Sequence, residues 1–564
     1  MEKIEKMPLI SYSCLFPPNR LSIDDFIGTL PSQKSIEWVS YLHFWKYKNY
    51  MKQSDRDFFK TLLPNLNIEL KKKIDGFIEE VDEKDYYFID NVALFILLEK
   101  LLKVHNDNIS ELSEADYSNL MIAYLMCCDE RGSLNADIVD VINEDMDADS
   151  FVRIYLPERL KYYDIEYRDV YVEFIRSMMF QDFCEEDYKF HPLFNLYLDR
   201  MNISDWGESK FFIPDLINRI KKSDNHFCGI KIDSDSYMKK YLDAMSMDIS
   251  KYIPSPDFKG LREKPIYYHG DNKYHILSFN FLLDKLFQSF LFDFAKVLVK
   301  EKKIKDYPAL KKDVGDLFSE KYLFYAIMKG CFEQTCDVSL SGQNLKECLK
   351  EEEPDYYLRK GNNIFLFEFK DVMLNAKTKH CNSYDEIVKE LLELFERSTE
   401  EKSTGKIKYQ RKGITQLLNV IENKLDQIIN DIDKVESSEE LNIFPVIIFQ
   451  DYNFDIEGVN YILNNRFKKL LKSRNIPEHY IIKDLVMFSL TTLIQLEDLF
   501  SKGKLNLEQI IMNYFTYCSD SERNKTTPFY KFILRYAINE KGYNQENTKR
   551  YNDIINSVEK KIIK

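Results

Sequence analysis

With 564 residues the chain exceeds what one hydrophobic core organises, so two or more domains are expected. Its apolar and charged fractions, 45% and 30%, are those of a folded globular protein, and only 16 Gly and 16 Pro mark it as helix-rich rather than low-complexity. A formal charge of −14 excludes a protein coated in basic surface, so any nucleic-acid contact has to be local. From Ser35 to about Ile253 the apolar residues recur near helical spacing, as in the run from Asn91 and the run from Tyr167, and residues 1–260 read as an all-α region. The cluster Ser255-Pro-Asp-Phe-Lys-Gly-Leu-Arg-Glu-Lys-Pro265 suits a connection, which puts a domain boundary near 260. Beyond it Ile266-Tyr-Tyr-His and Tyr274-His-Ile-Leu flank Gly270-Asp-Asn as a hairpin, and Phe279 to Lys300 reads as one apolar helix.

Helix and strand signals then alternate. A helix is expected from Asp316 to Cys331, and strands at Cys336 to Leu340, Asp355 to Leu358 and Ile364 to Lys370. Helices follow at Tyr384 to Glu396 and Ile407 to Asn430, a strand at Phe444 to Phe449, a helix at Val459 to Lys472 and a strand at Leu485 to Ser489. This alternation predicts an α/β core, a mixed sheet flanked by helices, over 261–504, with a helical extension over 505–564. No stretch of about 18 apolar residues occurs, and the N-terminus lacks a basic-then-apolar leader, which leads us to expect a cytoplasmic protein. The ten Cys have no zinc-site spacing, and no phosphate-binding Gly-x-x-x-x-Gly-Lys-Ser/Thr loop is present.

The stretch from Glu353 to Asp371 carries the chemistry. It reads as strand, tight turn and strand, and a turn centred on Gly361-Asn362 sets Asp355 directly opposite Glu368. Lys370, two residues on, shares that face, while Phe365, Phe367 and Phe369 line the other and should pack against a helix. Two converging carboxylates repel each other, a cost tolerated where a hard divalent cation joins them. Such an ion, Mg²⁺ or Mn²⁺, would polarise a phosphate and acidify a bound water, with the ammonium offsetting developing charge.

These residues resemble the PD-(D/E)XK nuclease superfamily, with Pro354-Asp355 as the PD and Glu368-Phe369-Lys370 as the (D/E)XK. Pro-Asp occurs also at Pro214 and Pro256, and only Pro354 has strand-turn-strand context. The resemblance implies a nuclease that cuts nucleic acid, DNA in preference to RNA, in the manner of bacterial anti-phage or restriction proteins. It also implies an acidic residue on the helix before the sheet, carried over to Glu320 as a further metal ligand beside Asp355 and Glu368. A Gln on the helix after the third strand carries over to Gln416, across a long insertion. The resemblance covers roughly Ile266 to Phe500, and the helical region before it would sense a trigger or bind a protein partner.

Plainer readings stand beside these. Lys370 at a solvated sheet edge would pair with Glu368 or Asp371, Glu320 reads equally as an exposed helix acid, and Gln416 as a solvent-facing residue. The basic run Lys406 to Lys412 suits either a phosphate clamp or a solvated helix start, and Arg466 to Arg474 reads as the wet face of a helix. His380-Cys381 lacks further ligands and reads as loop, and Glu396, ending its helix, reads as surface. A catalytically silent or partner-activated adaptor that keeps the fold is the alternative function.

Overall fold

The computed structural model describes residues 9–562 apart from 18–20, 49–54, 82–86, 134–145, 166–167, 204–205, 223–228, 256, 350–351, 402–406, 436–439 and 542–548. The protein is mixed α/β and packs as two compact units. One comprises Met1–Val141, Ile165–Lys305 and Val558–Lys564; the other comprises Ile142–Asp164 and Asp306–Ser557. The division falls after Lys305, not near 260, and most of the expected extension 505–564 belongs to the second unit. The Pro/Gly cluster misleads because it is packed: Lys259–Glu263 form a short helix behind Phe258 at φ 57, Leu261 is fully buried, and Glu99 accepts hydrogen bonds from Tyr252 Oη and Ser255 N–H. No helix among the described residues is long and apolar enough to cross a membrane.

The first unit is mostly helical. Its main elements are α1 (Ser32–Lys48), α2 (Asn91–Lys103), α3 (Glu114–Ser133), α4 (Val170–Glu186), α5 (Phe190–Arg200) and α6 (Trp206–Lys222). Asp90 and Asp169 cap α2 and α4 by accepting first-turn N–H groups, which stops each helix where its apolar run begins. The unit is not all-α. Strands β1 (Gly229–Lys231), β2 (Ile266–Tyr268) and β3 (Lys273–Ile276) form a three-stranded sheet in the order β1-β3-β2. The hairpin β2-β3 is the one expected, and β1 is too short to leave a periodic signal. The expected helix over Phe279 to Lys300 is two helices, α7 (Phe279–Asp284) and α8 (Gln288–Lys300), separated where Phe287 leaves helical geometry.

In the second unit the helices Ala148–Leu160 and Tyr307–Asp313 precede a π-helix, Val314–Phe324, running into α9 (Tyr325–Phe332). Then come β4 (Val338–Ser341), β5 (Tyr356–Lys360), β6 (Asn363–Lys370), α10 (Tyr384–Phe395), the paired strands β7 (Arg397–Glu401) and β8 (Ile407–Arg411), and α11 (Gly413–Asn423). β9 (Leu441–Phe449), α12 (Val459–Leu471), β10 (Tyr480–Ile482), β11 (Val486–Ser489) and further helices follow. The helix expected over Ile407 to Asn430 is thus wrong at its start: Ile407 to Arg411 pair as a strand, and the helix enters only at Gly413. In the main sheet β4, β5 and β6 run antiparallel, β9 lies parallel to β6, and β10 and β11 both pair β9.

Strand β6 explains the architecture. Ile364, Phe365, Leu366, Phe367 and Phe369 are all buried, as in a strand covered on both faces. Ile364 and Leu366 enter a core with Ile414, Leu417 and Leu418 of α11. On the other face Phe369 stacks on Phe324 at 4.8 Å, and Phe365 on Phe444 at 4.8 Å. The covered faces leave only the C-terminal end of β6 for polar groups.

Candidate active site

The β5-β6 turn places Lys360 against Asn363 and Tyr356 against Phe367. One further step in that register sets Asp355 against Glu368, as the turn implied. Gly361 holds φ 57, and its N–H donates to the Asp337 carboxylate at 2.7 Å, so the turn is pinned from β4's side. Asp355 is held by its own hydrogen bond, Oδ2 accepting from Phe369 N–H at 2.7 Å. Gly342 braces it from behind: its N–H donates to Asp355 O at 2.8 Å, and a Cβ there would lie 2.9 Å from Pro354 O.

Glu368 is 1% exposed, and its Oε1 accepts from Lys370 Nζ at 2.5 Å. Its Oε2 is buried with no hydrogen-bond partner among the described residues, an acceptor ready for a ligand. Burial, then the charge of Asp355, pushes Glu368 up to about 8. Burial raises Asp355 against the pull of Lys370. Burial alone would lower Lys370, but the carboxylates of Glu368, Asp355 and Glu320 raise it overall. Glu320 comes from the π-helix, where the Tyr325 N–H reaches back five residues to its carbonyl. Burial, then Asp355, pushes it up to about 7, and Tyr325 Oη donates to its Oε1 at 3.3 Å. Asp371, the next acid, is already held by Lys311 and Ser319 and leaves Lys370 to Glu368.

The site therefore gathers Asp355, Glu368, Lys370 and Glu320. A fifth member, Lys412, was named in the sequence only as the end of a basic run. It stands half-buried where α11 begins, its N–H donating to Thr415 Oγ1 at 3.1 Å. Burial, then repulsion from Lys370, lowers its pKa, with Glu368 opposing. In the same run Arg411 pairs with Glu352, and Lys406 lies outside the described residues.

No family model, curated protein or solved structure matches the chain. The chemistry of this site has to be read from its own residues. Three acids with raised pKa values around a buried, unpartnered oxygen form an oxygen-only donor set, which suits a hard divalent cation. Glu320, Asp355 and Glu368 do not bring their oxygens within 4.8 Å of one another; the described groups that do so are elsewhere. The paired acids across β5 and β6 would thus hold an ion first, with Glu320 drawn in or bound through water.

Gln416 stands in the first turn of α11. It lies half-buried one turn beyond Lys412, and its side chain makes no hydrogen bond among the described residues. The run Arg466 to Arg474 is paired with acids: Arg466 binds Glu396 through two bonds, at 2.6 and 2.9 Å, Lys468 meets Asp484 and Arg474 meets Glu422. Glu396 is accordingly buried, not surface. Cys381 turns its Sγ to the Ser383 backbone, and His380-Cys381 joins no metal-ligating group among the described residues.

Proposed function

We propose that the chain is a metal-dependent nuclease that hydrolyses phosphodiester bonds in nucleic acid with Mg²⁺ or Mn²⁺, on a PD-(D/E)XK-like core. The observation that carries this is the pairing of Asp355 with Glu368 across β5 and β6, with Lys370 on the same face and a free Glu368 oxygen. In the metal-free protein Lys370 Nζ donates to Glu368 Oε1. Asp355 and Glu368 would hold the ion, which would leave the Lys370 ammonium to face the phosphate and offset charge building on its oxygens. When bound, such an ion would supply polarisation of the phosphate and acidification of a water.

The succession of acid-bearing helix, three antiparallel strands, helix and parallel strand supports the same reading, as does Lys412 near Glu368 as a second phosphate contact. DNA rather than RNA follows from the resemblance alone, since no residue here reads a 2′-hydroxyl. A role in anti-phage defence has the same footing. The test is incubation of the purified chain with plasmid, linear duplex, single-stranded DNA and RNA, with Mg²⁺, Mn²⁺ or chelator. Cleavage that needs the ion and is lost in Asp355→Ala is expected. Absence of cleavage of every substrate by the folded wild type would favour the silent or partner-activated alternative.

A further inference from the structure

A different cluster sits in the first unit, between α1 and the β2-β3 hairpin. Glu37 of α1, His269 at the hairpin turn and His275 of β3 each offer one ligand atom, all within 4.8 Å of one another. We propose that these three residues bind a divalent transition ion of the Zn²⁺ class, pinning α1 to the hairpin. The register pairs His275 with Tyr267, so His269, two residues on, lies diagonally across from His275 on the same face. Their rings are 4.6 Å apart. His275 Nε2 lies 3.5 Å from Glu37 Oε1, while Lys34 holds the other carboxylate oxygen, Oε2, at 3.2 Å.

The environment favours an ion over an ordinary ion pair. The two imidazoles and the carboxylate are already gathered within ligating reach, with His275 2% exposed and His269 half-buried. The side-chain amide of Gln33 donates to His269 Nδ1 at 2.8 Å and to Glu37 Oε1 at 3.2 Å, so two acceptors already converge on one donor. With Nδ1 accepting, the buried Nε2 carries the ring proton, so an ion would take Nδ1 and Glu37 Oε1 in place of the Gln33 amide. Two imidazoles and a carboxylate select a borderline ion rather than Mg²⁺, and three protein ligands leave one position for water. Bonds of about 2 Å set ligand atoms about 3.3 Å apart in a tetrahedral site, so closure asks for shifts of about 1 Å, within the swing of the Glu37 side chain.

The full chain, stripped with chelator, would be loaded with Zn²⁺ or Co²⁺ and desalted, then assayed for metal per chain, Co²⁺ visible absorption and thermal midpoint. The wild type and Asp355→Ala should retain an ion with the absorption of nitrogen-ligated Co²⁺, and Zn²⁺ should raise the midpoint. His269→Ala and Glu37→Gln should each lose that ion, with Co²⁺ affinity falling by at least about tenfold, and lose the midpoint shift. His275 is 2% exposed and its substitution tests folding as well, so the two less buried positions decide. Folded His269→Ala and Glu37→Gln proteins that bind Co²⁺ as tightly as wild type, or a wild type that retains none, would overturn the assignment.

Discussion

Glu368 is the residue on which most of the second unit's chemistry turns, because it is buried, carries an unpartnered oxygen and is the partner of Lys370. Asp355→Ala and Glu368→Ala should each lower cleavage on the order of 10²–10³-fold, and added Mn²⁺ should restore part of it by mass action. Lys370→Ala should lose as much with no Mn²⁺ rescue, since an ion cannot replace an ammonium aimed at the phosphate. A folded Lys370→Ala enzyme with near-normal turnover would remove Lys370 from the mechanism. Titration gives a second handle on Glu368. In the unfolded chain its carboxyl ionises near 4.5, whereas the folded protein holds the proton to about 8. The folded state therefore binds the extra proton, and stability in chelator declines as pH rises between these values, with the loss complete above about pH 8. Glu368→Gln should flatten that decline between about pH 5 and about pH 9, and Mg²⁺ should oppose it in the wild type only. Asp455 and Glu320, which burial pushes up to about 7, leave a residual slope in both. Thermal midpoints across pH decide the matter, and equal slopes would show that Glu368 does not titrate where its burial implies.

At the scale of elements, the hairpin was legible because one turn fixes every pair beyond it, and Asp355, Glu368 and Lys370 lie within sixteen residues of each other in sequence. Lys412 was legible only as the end of a basic run that suited a phosphate clamp or a solvated helix start equally. Only the pairing of β7 with β8 and the packing of α11 on β6 and β9 bring it back, and neither leaves a mark near Lys370 in the sequence. The run Arg466 to Arg474 reads as the wet face of a helix, but its acidic partners are not legible, since Glu396, Glu422 and Asp484 come from other segments. The same holds for His269 and His275, whose shared face follows from the hairpin register but whose third partner, Glu37, lies on a helix over two hundred residues earlier. Two glycines test the hairpin itself. Gly361→Ala forces a side chain into φ 57 and should cost about 1–2 kcal/mol of stability. Gly342→Ala sets a methyl against the backbone of Pro354, and should cost about 1–3 kcal/mol and also displace Asp355, so that cleavage falls by more than the unfolded fraction explains. Cleavage normalised to folded protein that stays at the wild-type level would show that Asp355 tolerates the shift.

For the molecule as a whole, the second unit is not a contiguous stretch of chain. The helix Ala148–Leu160 supplies Phe151, Val152, Leu156 and Leu160 to the core that holds Ile364, Leu366 and α11. Val152 packs against Gly458 at φ 95, where an added Cβ would lie 2.6 Å from its Cγ1. A fragment of residues 306–557 should consequently expose an apolar patch, bind a hydrophobic dye and melt below the full chain, and a peptide of residues 142–164 should raise its midpoint. A fragment that melts like the intact protein would mean the helix is dispensable. The same arrangement has a consequence for biosynthesis. At roughly 5–20 residues per second a ribosome needs on the order of ten seconds or more to add the intervening stretch, and longer still to reach the strands that cover Phe151. Throughout that interval an apolar helix is outside the exit tunnel with its binding site not yet made. The nascent chain has to shelter it, on a chaperone or on itself, so slowing translation beyond Asp164 should lower the yield of soluble protein more than slowing it before Ala148.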